Sequence, residues 1–366
     1  MVLASFDGAA GTENMSSLLI SALAKHYAVS LWSINRKGHF FRQIEPQMAG
    51  LHAFSSGRFA GIRNALRLAV AMLRCQPAAV MVFEYRMGIA LGMALSWLPA
   101  PWRPFTIFCH HVQLRYRLEH APAREARRIR RLFPLINVHT VPSQALADEL
   151  LDCLSGLDAS SIRVIANGID LSRIAELARA PLERDRDDVL YRCVCLGALR
   201  PDKHIDEVIR AFSELPLCDD ALLWIIGDGP QRERLVELAR SLDVGDRCMF
   251  LGELTNPHPY LARATLLVHM SERETFGLAV LEAMAHGVPV LAMCEQTDGL
   301  RTILQDGVQG RLIEGNNRHA FVQAWQALLA DADTRRRMGE AGRIQAQRFP
   351  AGAMYRGYRQ LLGLEG

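Results

Sequence analysis

The stretch Ser271–Val290, SERETFGLAVLEAMAHGVPV, decides the fold. It follows one apolar run, TLLVHM, and ends in another, PVLAM, with a helical pattern between them. It therefore reads as the turn and helix of a βαβ unit in a parallel sheet. Gly277 stands where the helix should begin. The N–H groups of Gly277, Leu278 and their neighbours would lack intrahelical partners there, and such a helix start attracts an anion, with pyrophosphate the natural guest. Glu274 precedes the helix and Glu282 follows eight residues later, so two carboxylates can line one mouth, one suited to a sugar ring and the other to a ribose. Taken alone the pair says little, since acidic residues favour the first turn of any helix.

Outward from this segment, short β-rich runs alternate with helical patterns along the whole chain. Strands are predicted near Val2–Phe6, Ala28–Trp32, Ala79–Phe83, Phe105–Cys109, Ile136–Thr140 and Ile162–Ile165. A second series is predicted near Leu190–Leu196, Ala221–Ile226, Cys248–Leu251, Leu266–His269, Pro289–Ala292 and Arg311–Ile313. Between Leu171 and Asp188 the pattern gives way to a charged stretch containing Pro181, which reads as a linker. With 366 residues, more than one hydrophobic core normally serves, two doubly wound α/β domains are expected. We place them at 1–178 and 179–348, with a C-terminal helix over 349–366 that packs back toward the first domain. Open sheets of this kind bind ligands beyond the carboxyl ends of their strands, so the chemistry should sit in the loops that follow them.

Glu-Thr-Phe-Gly-Leu followed by Glu-Ala-Met-Ala-His-Gly-Val-Pro-Val resembles the donor-binding E-x7-E segment of the retaining glycosyltransferases of family 4, which have the GT-B fold. The resemblance covers most of the second domain: IIGDGP at Ile225–Pro230, with Pro230 expected at the first position of a helix, FLGEL at Phe250–Leu254 and DGVQG at Asp306–Gly310. It also reaches the Asn-Gly-x-Asp turn of IRVIANGID at Ile162–Asp170. It implies a donor site built from Gly11, Arg200, Lys203, Phe276, Gly277, Leu278 and Glu282, with Glu274 and His110 as catalytic residues. The chain departs from the family pattern at two places. Ala198 replaces the usual arginine after Gly197, leaving Lys203 in its expected place and Arg200 to swing toward the diphosphate. In FDGAAGTEN only Gly11 matches the family's glycine pair. Of the adjacent His110 and His111, counting from Pro104 favours His110 as the histidine near the reacting carbon.

The implied reaction moves a hexosyl unit from a UDP- or GDP-sugar to an acceptor hydroxyl with retention, on a glycan or lipid-linked acceptor of the cell envelope. No cofactor or metal is expected beyond the nucleotide-sugar co-substrate, the D-x-D tripeptide Asp185–Asp187 lying in the linker without a strand before it. The rival readings are a catalytically inactive nucleotide-sugar-binding subunit and an epimerase of the same fold. A net charge of +3 implies no nucleic-acid partner, but LRYRLEHAPAREARRIRR, Leu114–Arg131, carries seven arginines against two glutamates. This segment suggests contact of Arg115–Arg131 with an anionic membrane surface. The opening MVLASFDGAAG lacks a secretory pattern, and Met87–Pro99 is too short to span a bilayer and reads as a buried helix. The eight cysteines are scattered and read as reduced core thiols, so a cytoplasmic protein is expected, peripheral at most on the inner face of the plasma membrane.

Overall fold

Runs such as Val80–Val82, Ile107–Cys109, Leu222–Ile225 and Leu266–Val268 are apolar without alternation, which suits strands covered on both faces. In the computed structural model they are the central strands of two parallel sheets. The structure describes residues 1–4, 11–33, 39–54, 60–186, 188–216, 220–294, 299–315 and 317–363, by backbone alone at 11, 12, 39 and 294.

The chain divides into two units, Met1–Ala166 with Met354–Gly366, and Asn167–Ala353. In the first, the strands are β1 (Val2–Leu3), β2 (Ser30–Ser33), β3 (Gly50–Ala53), β4 (Ala79–Val82), β5 (Phe105–Cys109), β6 (Val138–Val141) and β7 (Ile162–Val164). Their order is β3-β2-β1-β4-β5-β6-β7, all parallel. Helices α1 (Gly11–Ala24), α2 (His39–Ile44), α3 (Ala60–Cys75), α4 (Tyr85–Trp97), α5 (Leu114–His120), α6 (Ala123–Leu132) and α7 (Gln144–Cys153) connect them. The expected buried helix is α4, which is apolar nearly all round and capped by the Glu84 carboxylate accepting from Met87 N–H at 2.9 Å. No helix among the described residues is long and apolar enough to cross a membrane. The edge strand β3 was not foreseen, because Gly-Leu-His-Ala is half exposed and carries no apolar signal.

The second unit repeats the plan in the order β10-β9-β8-β11-β12-β13. Its strands are β8 (Tyr191–Leu196), β9 (Ala221–Ile226), β10 (Cys248–Gly252), β11 (Leu266–Ser271), β12 (Val290–Cys294) and β13 (Gly310–Glu314). Its helices are α8 (Leu171–Leu177), α9 (Ile205–Ser213), α10 (Arg232–Ser241), α11 (His258–Arg263), α12 (Leu278–Ala285), α13 (Arg318–Ala330) and α14 (Ala332–Ala346). Helix α15 (Ala351–Leu361) follows. Pro230 lies in the turn ahead of α10 rather than at its first position.

Each unit has its own core, around Phe108, Phe133 and Leu91 in the first and Trp325, Phe212 and Leu223 in the second. Four cysteines, at 109, 193, 195 and 248, belong to these interiors, where burial pushes each thiol up to about 11 or 12. Cys75 is exposed instead, at the end of α3, and Cys218 lies outside the described residues.

The unit boundary falls at Ala166/Asn167, ahead of the expected 178/179. The cause is α8, which forms inside the expected linker, buries Ile174 and packs on α11 and α12 of the second unit. Asn256 Nδ2 also donates to Leu177 O at 2.9 Å, and Arg184 N–H to the Tyr260 hydroxyl at 3.2 Å. Where the chain enters and leaves this unit, Ile169 N–H bonds Phe349 O at 3.0 Å and Ala351 N–H bonds Ile169 O at 2.9 Å.

Candidate functional site

In the second unit, β8 continues to β9 on one side yet pairs with β11 on the other. Such a reversal opens a crevice at the carboxyl ends of the two strands. After β8 the chain turns through a short 3-10 segment, Pro201–Lys203, and after β11 it runs into the loop that leads to α12. The two loops are stitched together: Glu272 N–H donates to Asp202 O at 3.0 Å, and the Ser271 hydroxyl reaches the same oxygen at 3.5 Å. Held this way, Lys203 Nζ lies 2.8 Å from Glu274 Oε2 and 3.3 Å from Ser271 Oγ. From the fourth residue of β11, His269 Nε2 approaches the same Glu274 oxygen at 3.3 Å, short of full hydrogen-bond geometry.

Burial by itself would push the Glu274 carboxyl upward. The Lys203 ammonium and the His269 ring outweigh it and hold the group well below the usual carboxylate range. Glu282, one turn inside α12, lies in the opposite environment: only 9 % exposed, it is pushed up to about 7 by burial.

Gly277 ends the loop in the left-handed conformation, with φ of 90°, and a Cβ there would come within 2.5 Å of the Leu300 side chain. Only glycine turns the chain here without strain. Helix α12 starts at Leu278 with no side-chain cap, and its first internal bond runs from Leu281 N–H to Gly277 O. A helix start without a side-chain cap is the kind of place where anions such as phosphates are held. Phe276 does not present its ring to this site: it is 1 % exposed and packs edge-on against Phe349 at 5.5 Å.

Other expected residues are placed elsewhere. Arg200 forks onto Asp202, with Nε and an Nη atom 3.0 and 2.8 Å from its two carboxylate oxygens. Gly11 is the first residue of α1, and most of the loop before it, residues 5–10, lies outside the described residues. His110 is placed in the interior of the first unit. It is fully buried, with Nδ1 3.0 Å from the Tyr85 hydroxyl and Nε2 2.9 Å from His139 Nδ1. His139 Nε2 in turn reaches Phe133 O at 3.1 Å. Burial and the two neighbouring histidines lower the His110 pKa, and both its nitrogens are engaged in an internal network. His111 instead stacks on Phe83 beyond β4, with ring centroids 6.0 Å apart.

Asp185 pairs with Arg192 at 3.0 Å, and Asp187 lies outside the described residues. Among the described residues no group of three or more His, Cys, Asp or Glu could hold a metal ion. The arginine-rich segment breaks into α5 and α6. Arg115 pairs with Asp152 at 3.3 Å and Arg117 with Glu125, while Arg124, Arg127, Arg128, Arg130 and Arg131 stay exposed on α6.

His269 is the site residue that reading the sequence missed. Its signal was slight: it interrupts an otherwise apolar run, LLVHM, in the strand leading into the site.

Two family models match the chain: one described as glycosyl transferases group 1 over residues 182–345, the other as glycosyltransferase family 4 over residues 9–173. The N-acetyl-alpha-D-glucosaminyl L-malate synthase of Bacillus anthracis is 38% identical over 149 residues, covering 40% of this chain and 38% of that one. The lipopolysaccharide core biosynthesis glycosyltransferase LpsE of Rhizobium meliloti is 30% identical over 202 residues, covering 55% and 57%. The chain thus spans only about two fifths to three fifths of these curated relatives. Among solved structures, the sucrose-phosphate synthase of Thermosynechococcus elongatus superposes with a TM-score of 0.81 at 20% identity, covering 100% and 99%. Anabaena Alr3699/HepE in complex with UDP gives 0.78 at 18% identity, covering 99% of both chains. These likenesses show the GT-B fold.

Proposed function

Because the chain belongs to glycosyltransferase family 4, its two halves matching that family's models in turn, we propose that it transfers a hexosyl unit from a UDP- or GDP-sugar to an acceptor hydroxyl with retention at the anomeric carbon. The observation that carries this reading is Lys203 Nζ, held 2.8 Å from Glu274 at the sheet's switch point, in the loops leading to the uncapped start of α12. A departing nucleoside diphosphate needs positive potential where its charge grows, and a fixed ammonium and oriented N–H groups supply it without reorganisation. In this reading no metal takes part in the transfer. Glu274 orients the sugar hydroxyls and Glu282 the ribose.

Relatives and neighbours support the substrate class: one relative is named for lipopolysaccharide core biosynthesis, and one neighbour is described in complex with UDP. We assign the acceptor to cell-envelope glycan or glycolipid assembly. The first unit favours a membrane-proximal acceptor. Helices α3, α4 and α6 pack side by side, and α3 leaves Ile62, Leu66, Val70 and Leu73 exposed in one stripe flanked by Arg63, Arg67 and Arg74. With Trp97 and Trp102 exposed and five arginines on α6, this surface suits an anionic bilayer. Two copies facing each other would instead oppose like charges.

Calorimetric titration with UDP and with GDP tests the donor site. Micromolar binding of one nucleotide, weakened at least tenfold by Lys203→Ala and by Glu282→Ala, is the expected result. Binding indifferent to both substitutions would place the donor elsewhere.

A further inference from the structure

When a diphosphate arrives, the three N–H donors of Lys203 must be divided between its oxygens and Glu274. In this structure its Nζ is 2.8 Å from the carboxylate, and drawing it toward phosphate oxygens would lengthen that contact with a mostly buried group. His269 stands ready beside that oxygen: 5 % exposed, Nε2 at 3.3 Å, and not yet in full hydrogen-bond geometry. An ionised carboxylate only accepts, so the contact requires the proton on Nε2.

We propose that His269 is a positioning residue that takes over Glu274 when Lys203 turns to the donor's diphosphate. Lys203 and His269 thus alternate as the carboxylate's main partner, and Glu274 keeps its place against the sugar through the exchange. The residue comes from β11, whose register with β12 is continuous from Leu267 to Ser271, so the donor is mounted on a rigid element while the residue it replaces is on a turn. The inference rests on the donor-site reading above.

The test compares native protein with His269→Leu, His269→Gln and His269→Asn. Each is assayed for calorimetric binding of UDP and GDP and for release of the nucleotide from UDP-glucose, UDP-N-acetylglucosamine and GDP-mannose. The glutamine amide nitrogen reaches where Nε2 stands; leucine offers no donor, and the asparagine amide is too short. The expected result is nucleotide affinity within about twofold of native in all three. In the Leu and Asn variants kcat should fall on the order of 10- to 100-fold, as misplacement of a substrate-orienting group by about 1 Å does, with most of the loss recovered in the Gln variant.

Native turnover in the Leu variant overturns the exchange. So does a Gln variant no better than Leu, or a loss of nucleotide affinity parallel to the loss of kcat, which would make His269 a packing residue of the loop. A crystal structure with UDP supplies a second reading: Lys203 Nζ should lie more than about 4 Å from Glu274, with His269 Nε2 at ordinary hydrogen-bonding distance, and an unchanged Lys203–Glu274 contact beside bound diphosphate refutes it. Failure of the underlying reading looks different: the native protein binds neither nucleotide, or binds them independently of Lys203.

Discussion

Replacing Lys203 with alanine isolates the contact on which the site is built. Two unit charges 2.8 Å apart interact by about 6 kcal/mol at an effective dielectric near 20. Desolvation and side-chain ordering offset much of that, and removing one partner of a fully buried pair costs about 3–5 kcal/mol. Here 18% and 16% of the two side chains remain exposed and His269 stays near the carboxylate, so we expect a loss of about 2–3 kcal/mol at pH 7.

The sign with pH follows from the carboxyl. With Lys203 present its folded pKa is depressed, so the stability it contributes is in place above the unfolded value of about 4.3 and disappears as the pH falls below it. Without Lys203, burial becomes the leading influence and pushes Glu274 upward. The penalty of the substitution is then largest near neutrality and shrinks in acid as Glu274 takes up a proton. Differential scanning calorimetry at pH 7.5 and pH 4 measures it, at about 2–4 °C per kcal/mol for a unit of this size. Trp224 and Trp325, both fully buried in the second unit, report the same transition by fluorescence. In a cycle with Glu274→Gln, a coupling of at least about 1 kcal/mol is expected. If Lys203→Ala costs as much in the Glu274→Gln background as beside the native glutamate, the ion pair is not what holds these loops.

Glu282 should behave oppositely: its folded pKa near 7 lies above the unfolded value of about 4.3, so ionisation opposes folding increasingly between these pH values and no further above them. Glu282→Gln is therefore expected to raise the melting temperature more at pH 8 than at pH 4 while weakening nucleotide binding, and equal shifts at the two pH values would sink the argument. His110→Ala should destabilise the first unit by about 1–3 kcal/mol by leaving Tyr85 and His139 short of a buried partner. Assayed below its melting temperature it should lose less than tenfold in kcat, whereas a drop of 10²-fold or more would restore His110 as an acid–base group. Leu66→Glu with Val70→Glu, both at exposed positions, should weaken binding to phosphatidylglycerol vesicles at least tenfold without altering binding of UDP or GDP. Unchanged vesicle binding would remove α3 from the membrane face, and self-association lost in the double variant would point to a second copy of the chain.

The strands were legible because a parallel sheet covered on both faces needs unbroken apolar runs, and LLWII and LLVHM are such runs. The edge strand β3 was not, since pairing on one side asks for no apolar pattern and Gly50–Ala53 has none. The linker misled for a related reason: α8 shows a short apolar pattern in a charged stretch, and only its contacts with α11 and α12 reveal which unit it joins. In the site, Glu274, Gly277 and Glu282 could be picked out in the segment after β11, and Lys203 was named by the family resemblance. The directions of Arg200, Phe276 and His110 could not be read, for each is set by a particular partner that residue type alone does not announce: Asp202, Phe349 and the pair Tyr85 and His139. His269 was not legible because a lone histidine in an apolar strand carries no motif or spacing that points to a site.

The first unit is discontinuous in the chain. Tyr358, 2 % exposed, joins its hydroxyl to Thr140 at 3.0 Å, so part of that unit's interior is supplied from beyond residue 353. During synthesis the ribosome therefore delivers every residue of the second unit before it delivers Tyr358. The N-terminal portion emerges first and is completed last, and must wait with a vacancy beside β6 while the later-made unit is already free to fold.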